Sequence, residues 1–146
     1  MQEYLRKVNY YETDKMGIVH HSNYIRWFEE ARLDFMEKYG YPYDKFEESG
    51  CICPVVSVSC KYKRPIVFGQ AVKITVRLKE YKNAKHKFAY TVIDSKTGEL
   101  HATGESSHCF LNDKGRVVAL KKINPEMFEF FEKIANEDSI KTEGEI

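Results

Sequence analysis

The sequence predicts one α+β domain in which an antiparallel sheet wraps around a single long helix. Two observations carry this prediction. Residues 22–39 place apolar side chains at helical spacing over a belt too wide for a surface helix. The segments after residue 55 alternate apolar and polar side chains with the period of two that is typical of strands. A curled antiparallel sheet would bury such a helix.

The composition limits the class of protein. The chain has 146 residues, of which 31% are charged, and its formal net charge is +1. This length suits one domain, and the balanced charge gives no indication of a nucleic-acid partner. No apolar run approaches the roughly 18 residues of a membrane span, and the N-terminal segment has no apolar signal core, so we expect a cytoplasmic protein.

The four cysteines predict buried thiols. They are Cys51, Cys53, Cys60 and Cys109, and their spacing is too irregular for a disulfide framework. Cys51 and Cys53 form a C-x-C pair, but the sequence offers no second ligand pair at a comparable spacing, so no metal site is expected. No Gly-rich phosphate loop is present, and we expect no ATP, NAD or other cofactor.

The first half of the chain predicts a strand followed by the long helix. Residues 4–12 are rich in aromatic and β-branched side chains and predict the first strand. After the turn-forming TDKMG, Ser22 or a neighbour caps a helix that runs to about Tyr39, where Gly40 and Pro42 supply stop signals. The acidic segment YDKFEESG then predicts one or two further helical turns.

The second half predicts strands and one more helix. Three alternating rows indicate the strands: Val56, Val58, Cys60 and Tyr62; Val72, Ile74, Val76 and Leu78; and Phe88, Tyr90 and Val92. The Gly-containing turns SKTGE and NDKGR predict hairpins. Asn124 and Pro125 are typical of the cap and first residue of a C-terminal helix. We therefore expect one domain over residues 1–136 and a polar, disordered tail over residues 137–146.

A long motif lies where the first strand meets the helix. Its residues are Tyr10, Thr13, Asp14, Gly17, Ile18, Val19, His21, Asn23, Tyr24, Trp27, Phe28, Glu29, Ala31 and Arg32. The pattern resembles the hotdog-fold acyl-CoA thioesterases of the 4-hydroxybenzoyl-CoA thioesterase class, and within them the YbgC-like branch. The similarity continues through Tyr62, Pro65 and Gly69 to about residue 120. It implies a hotdog fold and homodimers that commonly pair into tetramers.

The resemblance also implies site residues. It places the catalytic carboxylate on Asp14 and the backbone N–H that polarises the thioester carbonyl on or near His21, and it implicates the side chains of His21 and Tyr10. The residues expected to contact the acyl-CoA substrate are Gly17, Val19, Asn23 and Tyr24 in the motif, with Lys61, Lys63 and Arg64 as cations for the coenzyme A phosphates. Lys15 and Met16 stand where many relatives have small residues, which leaves the acyl preference open.

This set of residues suits thioester hydrolysis. The reaction needs water or a nucleophile at the carbonyl carbon and a donor for the oxygen as it becomes negative. A helix N-terminus offers unpaired N–H groups and the positive end of its dipole. Asp14 could act as a general base on water or attack directly to form a mixed anhydride, and the sequence does not separate these routes.

Other interpretations of the same residues remain open. Asp14 taken alone is typical of a turn residue that closes an Asx motif, and Tyr10 could equally be a core residue or a pocket wall. A non-catalytic acyl-CoA-binding module and a hydroxyacyl-thioester dehydratase are the alternative functions. A Ser-His-Asp esterase is excluded, because Ser107 and His108 are adjacent on a predicted strand and point to opposite faces, and no G-x-S-x-G elbow exists.

Overall fold

The computed structural model describes the backbone of residues 1–144 and the side chains of residues 1–138. The strands are β1 (Gln2–Lys7), β2 (Val55–Tyr62), β3 (Ala71–Tyr81), β4 (Lys85–Asp94) and β5 (Leu100–Cys109). The helices are α1 (Ser22–Lys38), α2 (Tyr43–Glu48), α3 (Leu120–Ile123) and α4 (Pro125–Gly144), and a 3₁₀ turn covers Tyr10–Glu12. None of these helices is long and apolar enough to cross a membrane.

The five strands form one antiparallel sheet in the order β1-β3-β4-β5-β2. The two edges are therefore β1 and β2. The period-two row on β3 is confirmed, because Val72, Ile74 and Val76 are buried while the residues between them are partly exposed. The α+β class and the antiparallel sheet are as the sequence predicts.

The long helix α1 supplies much of the core. Trp27, Phe28 and Phe35 have at most 1% of their surface exposed. Phe28 stacks on Tyr90 of β4 with ring centroids 4.4 Å apart and nearly parallel planes. Burying a large aromatic side chain is worth about 1.5–3 kcal/mol, so the apolar belt that predicted a wrapped helix is the main reason that α1 holds to the sheet.

The C-terminal helix α4 begins as predicted but extends further. Asn124 caps it, since its Oδ1 accepts the N–H of Met127 at 3.2 Å. The helix continues to Gly144, where the sequence predicts a disordered tail from residue 137. Asp138 provides a reason, because its buried carboxylate accepts the N–H of Leu78 on β3 at 2.7 Å and also pairs with the α-amino group of Met1. Residues 145–146 of the predicted tail lie outside the described residues.

The first strand is shorter than the sequence predicts. β1 ends at Lys7, and the aromatic pair Tyr10 and Tyr11 lies in the 3₁₀ turn with both side chains exposed. The N–H groups of Glu12 and Thr13 bond to the carbonyls of Asn9 and Tyr10, at 3.0 and 3.1 Å. Local turn bonds therefore replace the strand ladder here, although aromatic content favours a strand.

Candidate active site

The acid of the motif sits in a tight turn between the 3₁₀ turn and α1. The N–H of Asp14 donates to the Ile18 carbonyl at 2.9 Å, and the N–H of Gly17 donates to the Asp14 carbonyl at 3.0 Å. Gly17 has a φ of 77°, a left-handed conformation that only glycine adopts without strain. Single bridges from Thr13 to Val19 and from Ile18 to Val67 fix this turn to the rest of the chain.

The two oxygens of Asp14 have different surroundings. Oδ1 accepts the N–H of Met16 at 2.8 Å, which is the Asx-type turn bond. Oδ2 accepts no hydrogen bond from any residue that the structure describes. The carboxylate is thus held by one oxygen while the other is open to water or a ligand.

The start of α1 leaves one backbone donor open. The imidazole Nδ1 of His20 accepts the N–H of Ser22 at 3.2 Å, and the His20 carbonyl accepts the N–H of Asn23 at 3.0 Å. No backbone group of residues 1–144 and no side chain of residues 1–138 accepts the N–H of His21. This N–H belongs to the residue that precedes the helix, where the positive end of the helix dipole lies. The helix entrance therefore has one unused donor for an anionic oxygen.

A buried carboxylate that sequence reasoning missed supports this junction. Glu12 has 3% of its surface exposed, and its oxygens accept bonds from Arg6, from Trp27 Nε1 and from the Asn9 N–H at 2.8–2.9 Å. Burial alone would raise the pKa of Glu12, but the hydrogen bonds from Asn9, Trp27 and Arg6 hold this pKa below its ordinary value. The Glu12 carbonyl also accepts the N–H of His20 at 2.8 Å. The one sequence signal was the Asn9-x-x-Glu12 spacing of a capping box.

The turn and the helix entrance open on a common cavity of about 340 Å³, which we call the entrance cavity. Its lining residues are Asp14, Met16, Ile18, Val19, His21, Tyr24, Tyr62, Lys63, Arg64 and Pro65. Of the predicted site residues, the structure thus brings together Asp14, Val19, His21, Tyr24, Lys63 and Arg64. Met16, Ile18, Tyr62 and Pro65 line the cavity without having been assigned to the site.

Two tyrosines form the apolar wall of the entrance cavity. The ring of Tyr62 meets that of Tyr24 edge to face, with centroids 4.9 Å apart, and the Tyr62 hydroxyl donates to the His21 carbonyl at 3.1 Å. Burial raises the pKa of Tyr24 to about 12, so its hydroxyl stays protonated at neutral pH. On the polar wall, Arg64 pairs with Glu99, whereas Lys63 has no ion pair among the described residues.

Four predicted site residues do not line the entrance cavity. Tyr10 has 76% of its surface exposed and contacts Phe68 edge to face. Gly17 forms the turn, and Asn23 is buried, with its Nδ2 donating to the Glu12 carbonyl at 2.9 Å. Lys61 lines a separate depression with Arg77 and Lys79. The roles of these four residues in catalysis or binding stay predictions.

A second cavity of about 310 Å³ lies beside the C-terminal half of α1, and we call it the histidine cavity. Cys53, His86 and His108 line it together with Arg32 and Glu29. Among the described residues, the first three form the one group whose ligand atoms lie close enough to hold a metal ion. From the sequence, Cys53 was assigned to the core, His108 was considered only for the excluded Ser-His-Asp esterase, and His86 was given no role.

Comparison with known proteins gives consistent matches. The family model described as the thioesterase-like superfamily matches residues 8–135. The crystal structure of a DHNA-CoA thioesterase from Staphylococcus aureus has a TM-score of 0.87 and 31% identity, covering 99% of this chain and 95% of that chain. A 1,4-dihydroxy-2-naphthoyl-CoA hydrolase from Prochlorococcus marinus is 30% identical over 113 residues, which are 73% of this chain and 74% of the relative. The acyl-CoA thioesterase YbgC of Helicobacter pylori is 31% identical over 74 residues, 51% of this chain and 53% of the relative.

Proposed function

The chain belongs to the thioesterase-like superfamily and is a thioester hydrolase, and we propose that it cleaves acyl-CoA thioesters in the entrance cavity. The predicted hotdog fold and the predicted relationship to YbgC-like acyl-CoA thioesterases are confirmed. The observation that carries the proposed site is that Asp14 and His21, whose backbone N–H has no acceptor among the described residues, line one cavity.

In the proposed mechanism the thioester carbonyl points at the start of α1. The His21 N–H and the helix dipole stabilise the oxygen as it becomes an oxyanion. Asp14 acts through its open Oδ2, either by taking a proton from an attacking water or by attacking the carbonyl carbon itself. The hydrogen bond from Met16 to Oδ1 keeps the carboxylate oriented in both routes.

The polar wall of the cavity suits coenzyme A. Lys63 and Arg64 would receive its phosphates near the mouth, because cationic side chains bind phosphate oxygens through charge-assisted hydrogen bonds. The coenzyme A thiolate leaves after the carbonyl is attacked and takes up a proton from solvent. In the route with Asp14 as nucleophile, water then hydrolyses the mixed anhydride, which releases the acid and restores the carboxylate. No cofactor enters these steps.

The test is release of free thiol from a panel of short, long, benzoyl and 1,4-dihydroxy-2-naphthoyl coenzyme A esters. We expect Asp14→Asn to lower kcat/KM by at least about 100-fold, the contribution of a positioned general base. The matched control is Asp113→Asn, an exposed acid in the turn after β5, which should keep the activity of the wild type.

Two results would contradict parts of this proposal. Full activity in Asp14→Asn would remove Asp14 from the mechanism and direct attention to Glu29, Glu30 and His21. Acyl-CoA binding by the wild type without any hydrolysis across the panel would favour the alternative function, a non-catalytic acyl-CoA-binding module.

A further inference from the structure

Three potential metal ligands from distant parts of the chain meet at the histidine cavity. Cys53 precedes β2, His86 lies on β4 and His108 lies on β5. The Sγ of Cys53 is 3.7 Å from Nε2 of His86, and one ligand atom from each of the three residues lies within 4.8 Å of the others. The two imidazoles stack nearly parallel with centroids 4.9 Å apart, so at least one ring has to turn before both lone pairs point at one ion.

We propose that Cys53, His86 and His108 form a binding site for a thiophilic divalent cation, with Zn²⁺ as the ion that fits best. In tetrahedral zinc sites the Zn–S and Zn–N bonds of about 2.3 and 2.0–2.1 Å hold S and N about 3.6 Å apart. The observed distance of 3.7 Å between Sγ and Nε2 is already close to this value. All three residues line the cavity, so a fourth, non-protein ligand has room.

His108 has the supporting contacts of a metal-binding histidine. Its ring hydrogen-bonds to the backbone of Pro54, which can only accept, and its Nε2 faces Ser106 Oγ at 2.8 Å. We assign the ring N–H to Nδ1, since the bond to a carbonyl orients the ring and leaves Nε2 with a lone pair. Metal binding at Nε2 displaces the Ser106 hydroxyl, which keeps its hydrogen bond to the Tyr90 hydroxyl at 2.6 Å.

The ligand atoms of the cluster, together with the charges around it, determine which kind of cation it binds. Arg32 lines the same cavity and donates to the Tyr90 hydroxyl at 3.0 Å, and Glu29 also lines this cavity. The ion binds the thiolate of Cys53, so it replaces the thiol proton, which leaves to solvent. Hard cations such as Mg²⁺ prefer oxygen ligands, whereas Zn²⁺ binds thiolate and imidazole strongly.

Cobalt(II) is the probe that tests the proposal. Protein dialysed against EDTA and kept reduced is titrated with CoCl₂ while the absorption spectrum is recorded. We expect one equivalent to produce the visible bands of tetrahedral Co²⁺ and a thiolate-to-cobalt charge-transfer band, and we expect ZnCl₂ to remove both. Because a proton is released, the affinity should rise with pH.

Matched serine substitutions assign the ligand. Cys53→Ser should abolish the charge-transfer band, while Cys60→Ser and Cys51→Ser should retain it, with the folding of each variant checked by circular dichroism. His86→Asn should weaken Co²⁺ binding by more than about 100-fold, since lost supporting contacts alone cost 10–100-fold. The absence of the charge-transfer band in the wild type, or its persistence in Cys53→Ser, would overturn the proposal.

Discussion

At the scale of single residues, Asp14 is a turn residue for which we also propose a catalytic role. Its Oδ1 closes the Asx-type turn with Met16, while its Oδ2 accepts no hydrogen bond from the described residues, and the residue lines the entrance cavity. The structural and the functional interpretations of this residue are therefore compatible. The turn bond fixes the orientation that a general base or nucleophile needs.

The proposed oxyanion donor is testable because it belongs to the backbone. His21 has a φ of −56°, which proline can adopt, and no described residue accepts its N–H. We expect His21→Pro to lower kcat by about 100–1,000-fold, the usual effect of removing one oxyanion donor. Thiol release from acyl-CoA esters measures this effect.

The control for this experiment is His21→Ala, which removes the imidazole and keeps the N–H. A larger loss in His21→Pro than in His21→Ala isolates the contribution of the backbone donor. Equal activities of the two variants, at equal thermal stability, would mean that the N–H of His21 takes no part in the reaction.

The buried histidines predict a dependence of stability on pH. The pKa values of His86 and His108 are lowered in the folded protein, so below about pH 6.5 the unfolded chain binds protons that the folded chain does not. The stability present above pH 6.5 is therefore lost as the pH falls toward the folded values. For His108 alone we expect the free energy of unfolding to fall by about 2 kcal/mol between pH 7 and pH 5.

Urea unfolding in the presence of EDTA measures this contribution. His108→Gln should lose less stability than the wild type between pH 7 and pH 5, whereas His20→Gln, at an exposed position, should follow the wild type. Identical pH dependence in His108→Gln and the wild type would show that His108 titrates normally in the folded protein.

The sequence predicted some parts of the candidate site better than others. Asp14 and His21 could be proposed from the sequence because both belong to one local motif, Asp14 in the turn and His21 at the start of the helix. Glu12 was missed because its partners Arg6 and Trp27 come from different elements. The Cys53, His86 and His108 cluster depends on the pairing of β4 with β5, and no spacing along the chain reveals that contact.

At the scale of elements, the helix and the sheet are in close contact at Gly104 on β5. A Cβ built there would clash with the Phe28 ring of α1 and would lie 2.8 Å from the Ser59 carbonyl oxygen on β2. Overpacking of a core typically costs 1–3 kcal/mol. We therefore expect Gly104→Ala to lower the free energy of unfolding by about 2 kcal/mol, as measured by urea unfolding.

A double-mutant cycle attributes that cost to the contact with Phe28. Phe28→Leu removes the far edge of the ring and makes room for the added methyl group. Gly104→Ala in the Phe28→Leu background should cost less than in the wild type, by about 0.5 kcal/mol or more. Strict additivity of the two substitutions would place the strain at Ser59 instead.

The elements themselves were predicted unevenly, for physical reasons. α1 and β3 follow from periodicity, because one face or belt of each is buried. The predicted end of β1 was wrong by several residues, because the hydrogen bonds of the 3₁₀ turn outweigh the strand preference of aromatic residues. The extension of α4 depends on the contact of Asp138 with β3, which a polar segment does not reveal.

At the scale of the whole molecule, the edge strand β2 carries exposed apolar side chains. β2 is an edge strand on which Val56 and Val58 have 63% and 42% of their surface exposed. Val58 lies on the same face of β2 as Cys60. Cys60 pairs with Gly104 of β5, where a Cβ would meet Phe28 of α1, so this face of β2 is the one that faces α1. An unpaired strand edge with apolar side chains is a surface that proteins usually cover.

We expect a second copy of the chain to cover this edge, as the predicted homodimer, or dimer of dimers, requires. Val56→Lys places a charge on the apolar edge and should shift the protein toward the monomer. Sedimentation velocity and light scattering at several concentrations measure the shift. Leu5→Lys is the matched control, because Leu5 is an exposed apolar residue on the opposite edge strand β1.

The activity of the monomer shows whether pairing at β2 is needed to complete the entrance cavity. Tyr62 ends β2 and also holds the His21 carbonyl at 3.1 Å, so the edge strand and the helix entrance are directly connected. If pairing at β2 completes the site, Val56→Lys should lose thioesterase activity in parallel with dimerisation, and both should return at high protein concentration. A wild type that is monomeric at every concentration, or a dimer that persists in Val56→Lys and dissociates in Leu5→Lys, would exclude β2 as the interface.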